Sequence, residues 1–521
     1  MKKIIKYVSL LLVTICMASC NDDKFAEPLS TDNDELTIQH NTGMNVVGRV
    51  TVDGVPRQGV VVSDGVNVIT TDEKGEYQMR SKNRDYVFIS VPADCELPTE
   101  QGLPKFFKKL NFTNSHVLQR NFELKSKPVD SKFTIVALAD VQVGDNVDLS
   151  MLDTIMPKIK AQTDSIQGTV IGMSMGDISW NNTGIYGQYK AQVSRLSFPT
   201  LNIIGNHDHN EKTHDDINSD KEYRDALGPT YYSYNIGQWH IIAIDDVLYS
   251  GVRGRNDYEG EITRAQLAWL KKDLEYVSKD KSIIIGLHIP TSRRNNPNNH
   301  ITNRQDLYNL IKDYHRVIIL SGHTHNNFTT DIAPNMREYT LGAVMGAYWN
   351  TYGGLGICND GSPRGYGVFS FDGNELSDSY YRGEETPRDY QVKAYAPKEA
   401  SMRYGRVEGI LQTPYLAIPT HFDNSSVLIN VFNWHTDWTV QVQEDNGQWQ
   451  LLTNSSVARD PLAVRFLQYR NGWEKRPSAD PEYRNDHMFF YNPTSSNWQT
   501  INVKATDPWV RIYTASTHSD R

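Results

Sequence analysis

Apolar residues gather in six short runs in the middle of the chain, and polar residues or glycine follow each run. Runs of this length without alternation are typical of strands buried on both faces of a sheet. Amphipathic stretches separate them, and the clearest predicts a helix over residues 263–278, where Leu267, Leu270 and Leu274 follow the capping-box sequence from Thr263 to Gln266. The six predicted strands are Phe133–Ala139, Thr169–Met175, Leu201–Ile204, His240–Ile244, Ser282–Leu287 and Val317–Leu320.

On both sides of this region the pattern changes to short strands. Residues 44–128 alternate apolar and polar positions between turns such as Gly54-Val55-Pro56, and residues 395–521 are also strand-rich. We therefore expect an α/β domain, residues 131–390, flanked by N- and C-terminal all-β sandwich domains. Six of the ten tryptophans lie in the last domain, where we expect a packed core, with an aromatic sugar-binding face as the alternative. They are Trp434, Trp438, Trp449, Trp473, Trp498 and Trp509.

The N-terminus has the composition of an export signal. Lysines at positions 2, 3 and 6 precede an apolar stretch, residues 7–17, that is too short to span a bilayer. A plain secretory leader cut near Ala18 is one interpretation. The other is a lipobox, which Ala18-Ser19-Cys20 resembles, with Cys20 acylated. We expect a signal peptide over residues 1–19, a polar tether over residues 20–43, and a lipoprotein of the cell envelope held to the membrane through its lipid alone.

The amino-acid composition argues against several classes of protein. The 521 residues contain 53 Lys and Arg against 62 Asp and Glu, a formal charge of −9, which argues against a nucleic-acid partner held by phosphate contacts. Four cysteines exclude a disulfide-built scaffold, and Cys95 and Cys358 fall in different predicted domains, so we expect both to be unpaired. Nothing in the composition sets the oligomeric state.

Five of the six predicted strands end in side chains that bind metals. Ligands of α/β sheets bind at the carboxyl ends of strands, so groups far apart in sequence can converge there. Gly176, Gly205 and Gly322 precede three of these positions, where a missing side chain lets the backbone turn close to an ion. Carboxylate, imidazole and amide oxygen suit Mn, Fe or Zn. The candidates are Asp140, Gln142, Asp177, Asn206, His207, Asp208, His288, His323 and His325.

These blocks, in this order and after these strands, resemble the signature of calcineurin-like metallophosphoesterases. The flanking domains resemble those of one bacterial subgroup, with a carboxypeptidase-regulatory-like sandwich at the N-terminus that we expect to be a structural spacer. The resemblance implies a four-layer α/β/β/α catalytic core and two divalent transition-metal ions bridged by Asp177. It assigns Asp140, Gln142 and His325 to the first ion. Asn206, His288 and His323 would hold the second.

The resemblance also implies hydrolysis of a phosphoester, mono- or diester, by a metal-bound hydroxide. His207 would be the general acid, with Asp208 orienting its ring. The family usually has His where Gln142 stands, and an amide is the weaker ligand, which we interpret as tuning of the first site. The expected substrate is a phosphorylated small molecule, glycan or lipid.

Two further residues are candidates for substrate binding, and a second function stays open. Arg293 could clamp a phosphate, and Trp349 lies in a Gly-rich stretch that could form a rim over the site. His209 and His214 are expected at the surface. The alternative function is a lipid-anchored glycan-binding protein in which the metal site is structural or degenerate.

Overall fold

The computed structural model describes residues 35–82, 85–112, 116–292, 300–349, 356–397, 425–463 and 485–519. The predictions for Cys20 and the signal peptide, for Arg293 and for Trp473 lie outside the described residues. Among the described residues, no helix is both long enough and apolar enough to cross a membrane.

The N-terminal domain consists of short strands in two main sheets. In one, β1 pairs with β10, β11, β2 and β5, and the other has the order β4-β3-β6-β9. The alternation read from the sequence places Val46, Val50 and Val62 in the interior. The strands are β1 (Val46–Val52), β2 (Val55–Pro56), β3 (Val61–Ser63), β4 (Val68–Thr70), β5 (Glu76–Met79), β6 (Tyr86–Ser90), β7 (Thr99–Glu100), β8 (Leu103–Pro104), β9 (Phe107–Lys109), β10 (Leu118–Gln119) and β11 (Phe122–Leu124).

Two mixed sheets form the middle of the chain. The first has the order β14-β13-β12-β23-β24 and the second β15-β16-β19-β20-β22-β21. β12, β13 and β14 are parallel, as are β16, β19, β20 and β22. The strands are β12 (Lys132–Leu138), β13 (Thr169–Met175), β14 (Thr200–Ile203), β15 (Tyr232–Ile236), β16 (Trp239–Ala243), β17 (Val247–Tyr249), β18 (Tyr258–Gly260), β19 (Ser282–Gly286), β20 (Val317–Ser321), β21 (Phe328–Ala333), β22 (Met336–Thr340), β23 (Gly365–Asp372) and β24 (Glu375–Gly383).

All six strands predicted from the apolar runs are present, displaced by at most one residue at either end. Thr263 caps the predicted helix by accepting a hydrogen bond from the Gln266 amide (3.3 Å). The other half of the capping box is absent, because the Gln266 side chain bonds both backbone groups of Asp245 instead. The helices are α1 (Asn146–Thr163), α2 (Tyr186–Val193), α3 (Asp216–Ser219), α4 (Lys221–Leu227), α5 (Arg264–Asp273) and α6 (Arg304–Ile311).

Alternate residues of β12 point into two different hydrophobic clusters. Ile135 and Ala137 pack with strands of the second sheet, whereas Val136 and Leu138 pack with residues of α1 and α2. The sheets are therefore covered by apolar side chains on both faces, which explains why their strands lack alternation in the sequence. The four-layer α/β/β/α order stays a prediction.

The N-terminal domain shares one core with the second sheet. Phe106 lies against Tyr232 with ring centroids 4.9 Å apart, and the indole N–H of the fully buried Trp269 donates to Ser63 Oγ (3.0 Å). Both sides of this contact belong to the same cluster of buried apolar residues. The domain is thus packed onto the catalytic region, and its role as a structural spacer stays a prediction.

The C-terminal strands form two four-stranded sheets, β25-β26-β30-β29 and β28-β27-β31-β32. Trp438 and Trp498 are buried in their core, Trp434 packs against it and Trp449 is exposed, so the core interpretation holds for most of the described tryptophans. Cys95 and Cys358 are free and buried. The strands are β25 (Val392–Tyr395), β26 (Val427–Val431), β27 (Thr439–Glu444), β28 (Gln450–Leu452), β29 (Ser456–Ala458), β30 (Asn485–Tyr491), β31 (Thr500–Thr506) and β32 (Ile512–His518).

Candidate dinuclear metal site

The carboxyl ends of five parallel strands bring the predicted ligands together. β12, β13 and β14 end just before Asp140, Asp177 and Asn206, while β19 and β20 end just before His288 and His323. Four of these five side chains are buried, and His323 is half-buried. The structure therefore places groups from both sheets at one edge of the domain, as the strand-end pattern predicts.

One group of ligands surrounds the His288 ring. Its Nε2 lies 3.1 Å from Asn206 Oδ1, 3.2 Å from Asp177 Oδ1 and 3.3 Å from His323 Nδ1. Its Nδ1 lies 2.8 Å from the Met175 carbonyl oxygen, which can only accept, so Nδ1 carries a proton. Oxygens of Asn206 and Asp177 and a ring nitrogen of His323 thus converge on Nε2, and a cation among them would satisfy these groups. The carboxylate, imidazole and amide donors fit a divalent transition metal.

A second group adjoins the first through Asp177. His325 Nε2 lies 3.3 Å from Asp140 Oδ1, and Gln142 Nε2 donates to Asp177 Oδ2 (2.6 Å). The amide oxygen of Gln142 is buried and has no hydrogen-bond partner among the described residues. A buried acceptor without a donor is costly unless a cation satisfies it. The two carboxylate oxygens of Asp177 therefore face different sets of ligands, and the set with Asp140, Gln142 and His325 also fits a metal ion.

The electrostatics of the site keep Asp177 ionised. Burial alone would raise the pKa of this carboxyl, but the neighbouring imidazoles, His288 first, hold the pKa well below its usual range. Burial likewise would lower the pKa of His288, whereas the Asp177 carboxylate raises it to about 10. A carboxylate that bridges two metal ions must be ionised, and the carboxylate at the centre of this cluster meets that requirement.

The backbone of the ligand loops is strained. Positive φ angles are unfavourable for residues with a side chain and persist where the surrounding structure enforces them, often at functional sites. Half of the ten described non-glycine residues with positive φ are candidate ligands. They are Asp140, Gln142, Asp177, His323 and His325.

Two of the predicted glycines allow the loops to approach each other. A Cβ added to Gly205 would lie 2.2 Å from the Asp177 amide nitrogen, and one added to Gly176 would lie 2.4 Å from His288 Nδ1. Both distances are far below contact, so a side chain at either position would push a ligand out of place. The missing side chains therefore let ligands from neighbouring strands come close together.

His207 lies beside the ligands with its ring turned toward the opening of the site. Its Nε2 is 3.9 Å from Asp177 Oδ2, its Nδ1 is 2.8 Å from Asn181 Oδ1, and the ring stacks on Trp180 with centroids 4.6 Å apart. Because an amide oxygen only accepts, Nδ1 carries a proton and Nε2 faces the site. Burial is the main cause that lowers the pKa of this imidazole, and the positive charge of Arg255 adds to it.

Asp208 does not orient the His207 ring; this part of the prediction was wrong. Its carboxylate accepts hydrogen bonds from the amides of Ile178 (3.1 Å), Ser179 (2.8 Å) and Gly205 (3.0 Å). The turn at residues 206–208 is a 3₁₀-helix, in which successive side chains point about 120° apart. The carboxylate is therefore directed into the interior, where it fixes the loops that carry Asp177 and Asn206.

We expect Asp208→Asn to destabilise the protein by about 2–4 kcal/mol, because an amide cannot accept from all three N–H groups and leaves buried donors unpaired. Urea unfolding measures this loss. Any loss of phosphoester hydrolysis should be equal for good and poor leaving groups, since the variant disturbs ligand loops and not proton donation. A stable variant that hydrolyses only substrates with poor leaving groups more slowly would show that Asp208 orients the His207 ring after all.

Trp349 is placed differently from our prediction. Its side chain is buried, and the indole N–H donates to the carbonyl oxygens of Val141 (3.0 Å) and Gln142 (3.2 Å). It thereby holds the loop that carries Asp140 and Gln142, and it is not a substrate contact. His214 is exposed as expected, but His209 is buried against Tyr249, so its prediction as a surface residue was wrong.

Other residues of the site have no clear signal in the sequence. Asn181 and Trp180 hold the His207 ring. Asp246 accepts hydrogen bonds from the amides of His288 (3.1 Å) and Ile289 (2.9 Å) and so fixes the ligand loop after β19. Asp246 could have been found, because it lies two residues after the end of the fourth apolar run, whereas Asn181 and Trp180 lie in a loop with no periodic pattern.

The hairpin of β17 and β18 lies next to the metal ligands. The Tyr249 ring stacks on His209, the Gly251 carbonyl oxygen is 2.8 Å from His214 Nδ1, and Tyr258 meets the His323 ring edge-on. Between its strands the hairpin carries Arg255, which is exposed and forms no ion pair with any described residue. After burial and the charges of His288 and His325, the charge of Arg255 also lowers the pKa of the His207 imidazole.

Family models match three consecutive segments of the chain. Residues 133–327 match the calcineurin-like phosphoesterase family, residues 44–127 match its N-terminal domain, and residues 338–513 match its C-terminal domain. These matches define an enzyme, a metal-dependent phosphoesterase. The chain carries the N-terminal, catalytic and C-terminal domains of calcineurin-like phosphoesterases.

Solved structures similar to the chain include several phosphatases. A dimetal phosphatase from Danio rerio is 14% identical over 48% of this chain and 96% of its own, with a TM-score of 0.35. A purple acid phosphatase from yellow lupin is 13% identical over 62% of this chain and 69% of its own, with a TM-score of 0.35. A 5'-nucleotidase from Candida albicans is 13% identical over 48% of this chain and 50% of its own (TM-score 0.28). No curated protein matches the chain.

Proposed function

We propose that the protein hydrolyses phosphoesters at a dinuclear centre bridged by Asp177. The observation that carries this proposal is the division of the ligands into two groups that meet at the two oxygens of one buried, ionised carboxylate. Asn206, His288 and His323 would hold one ion, while Asp140, Gln142 and His325 would hold the other. Divalent transition-metal ions, when bound, supply charge that neutralises a phosphate and activates water.

His207 is proposed as the general acid. The Asn181 carbonyl oxygen fixes the proton on Nδ1, and Trp180 fixes the plane of the ring, so Nε2 is held toward the ligands. A proton on Nε2 can then pass to the leaving-group oxygen. The side chain of His207 is 16% exposed whereas that of His288 is fully buried, which suits a group that must reach substrate.

A hydrolysis screen tests the function. The full-length protein is stripped of metal and assayed with phosphomonoesters and phosphodiesters after Mn²⁺, Fe²⁺ or Zn²⁺ is returned singly. We expect activity to return with at least one of these ions and to rise until two ions per chain are bound. Hydrolysis that is unaffected by stripping, or no hydrolysis with any ion, would contradict the proposal.

Arg255 is proposed to bind the phosphate group of the substrate. It is an exposed residue of the hairpin whose Tyr258 meets the His323 ring, and a charge-assisted hydrogen bond from its guanidinium suits a phosphate oxygen. A monoester carries more negative charge than a diester, so the cation should favour monoesters.

Removing this charge should raise KM. We expect Arg255→Gln to raise KM for a phosphomonoester roughly 10-fold, to change kcat less, and to affect a diester less. Arg255→Lys should recover part of the loss, and Lys271→Gln, an exposed cation on α5, should have no effect. Steady-state kinetics compares the wild type with the three variants. An unchanged KM for Arg255→Gln would show that Arg255 does not bind the phosphate group.

We also propose the finer assignment made from the sequence. The chain would be a lipoprotein of the cell envelope, attached through Cys20, and a member of the bacterial subgroup with a carboxypeptidase-regulatory-like N-terminal domain and a four-layer catalytic core. The lipobox resemblance of Ala18-Ser19-Cys20 supports the attachment. The tether predicted over residues 20–43 would then separate the lipid from the first domain, and its last part already packs on that domain, where the Thr37 and Ile38 amides donate to Gln119 Oε1.

We expect Cys20→Ala to release the protein from membranes, because the only proposed hydrophobic anchor is the acylated residue. Membrane and soluble fractions of cells that produce the variant are compared by immunoblot. Phosphoesterase activity per molecule should be unchanged. Tight membrane fractionation of the variant would contradict the lipid anchor.

A further inference from the structure

A buried cluster of polar side chains joins the catalytic region to the C-terminal sheets. One member, Asn327, lies two residues after His325, the others lie far from the candidate ligands in sequence, and all members are at most 6% exposed. Buried polar groups are retained where they are mutually satisfied, and such networks fix one arrangement of the chain. We refer to it as the interdomain cluster, which consists of Asn327, Asp360, Asn430, Asp460, Asn485 and His487.

Strands β26 and β30 of the C-terminal domain hold the backbone of Asp360. Asn430 Nδ2 donates to the Asp360 carbonyl oxygen (2.8 Å) and to Asp460 Oδ2 (2.8 Å), and Asn485 Nδ2 also donates to the Asp360 carbonyl (3.2 Å). The His487 ring lies between Asn430 Oδ1 (2.7 Å) and the Asp360 carboxylate (3.4 Å). The position of Asp360 is thus fixed by three residues of the C-terminal domain.

Asp360 and its neighbour Asn359 in turn hold the loop of the metal ligand His325. The Asn359 amide donates to the His325 carbonyl oxygen (3.0 Å), and its side chain donates to the Thr324 carbonyl oxygen (3.1 Å). On the other side of His325, the Asn327 amide donates to Asp360 Oδ2 (2.7 Å). Backbone groups before and after the ligand are therefore tied to the same two residues.

His325 needs such support. Its φ of 53° lies in the left-handed region, which a residue with a side chain adopts when its surroundings enforce it. Its ring is also held weakly, because Nδ1 lies 3.4 Å from the Ala347 carbonyl oxygen. Hydrogen bonds between the backbone around His325 and the residues Asn359 and Asp360 therefore help to keep the imidazole directed at Asp140.

We infer that the C-terminal domain is part of the metal centre, with Asn430 and His487 as positioning residues for His325. This inference rests on the proposed dinuclear function. Loss of either residue should weaken the ion held by Asp140, Gln142 and His325. The ion held by Asn206, His288 and His323 should be affected much less, because Asn206 and His288 follow β14 and β19 and only His323 shares the loop of His325.

The experiment is a calorimetric titration of the metal-stripped, full-length protein with Mn²⁺. We expect the wild-type chain to bind two ions. In Asn430→Ala and His487→Gln, one ion should bind nearly as in the wild type and the other about 10- to 100-fold more weakly, the usual effect of losing an outer partner of a ligand. Val503→Ala is the matched control, because Val503 is buried in the core of the same domain outside the cluster.

The outcomes separate this inference from the proposed function. Fewer than two ions on the wild-type chain would overturn the dinuclear centre and the inference with it. Two ions bound with unchanged affinity by a folded Asn430→Ala or His487→Gln variant would overturn the inference alone, as would equal weakening by Val503→Ala. Electron paramagnetic resonance of the Mn²⁺-loaded proteins adds a second readout, since two neighbouring ions give a spin-coupled signal that a variant with one ion loses. Asn430→Asp should not restore the second ion, because a carboxylate cannot donate to Asp360 and Asp460.

Discussion

We expect Asp177→Asn to lose at least one metal ion and nearly all turnover. Asp177 is the one residue whose two oxygens face both groups of ligands, and an amide offers one neutral oxygen where the cluster needs two charged ones. Loss of one electrostatic contact typically costs about 10²- to 10³-fold in rate, and loss of a metal ion adds to this cost. Elemental analysis and the rate of phosphoester hydrolysis give the two measurements.

The fold of this variant should survive, because the strands around Asp177 are buried through their own apolar side chains. Asp273→Asn is the matched control. Asp273 is also a buried carboxylate of the same region, but it accepts from Ser233 (2.9 Å) and contacts His240 (2.8 Å) away from the ligands. It should lower stability and leave both ions and turnover in place. Two ions and near-normal turnover in Asp177→Asn would disprove the bridging role.

His207→Ala should keep both ions and lose rate according to the leaving group. General acid catalysis contributes roughly 10²- to 10⁴-fold when the leaving oxygen needs a proton. A loss of this order is expected with an alkyl phosphate. With p-nitrophenyl phosphate the loss should be clearly smaller, because that leaving group departs without protonation.

Asn181→Ala should show the same dependence on the leaving group in milder form, since the ring stays but its orientation is no longer fixed. His315→Ala is the control, an exposed histidine paired with Glu375. For each protein, the rates with the alkyl phosphate and with p-nitrophenyl phosphate are compared at saturating metal. Loss of an ion from His207→Ala, or equal loss of rate for both substrates, would make His207 a ligand or a charge stabiliser.

The positions of the ligands could be predicted because each follows a buried strand. Parallel strands of one sheet end at the same edge, so Asp140, Asp177 and Asn206 had to lie near one another once β12, β13 and β14 were recognised. The same local rule placed His288 and His323 at the ends of β19 and β20. Apolar runs and the polar residues that follow them are both visible in a single sequence.

What the sequence did not predict depends on contacts between distant loops. Asn181 reaches the His207 ring, and Asp208 turns away from it, because of a one-turn 3₁₀-helix whose side chains diverge. Because His207 and Asp208 are adjacent in sequence, we expected their side chains to be in contact. The backbone geometry of the 3₁₀-helix prevents this contact. Arg255 and His487 lie on a hairpin and a strand of other regions, and no local pattern relates either to the ligands.

The packing of the N-terminal sheets against Tyr232 and Trp269 also bears on how the chain folds. Each of the two apolar surfaces is covered by the other, so both become exposed to water when either part unfolds. These parts should therefore unfold in a single calorimetric transition. A chain shortened to begin after residue 128 would present the faces of Tyr232 and Trp269 to water and should aggregate. The N-terminal sheets would therefore act as a built-in partner in the folding of the catalytic region.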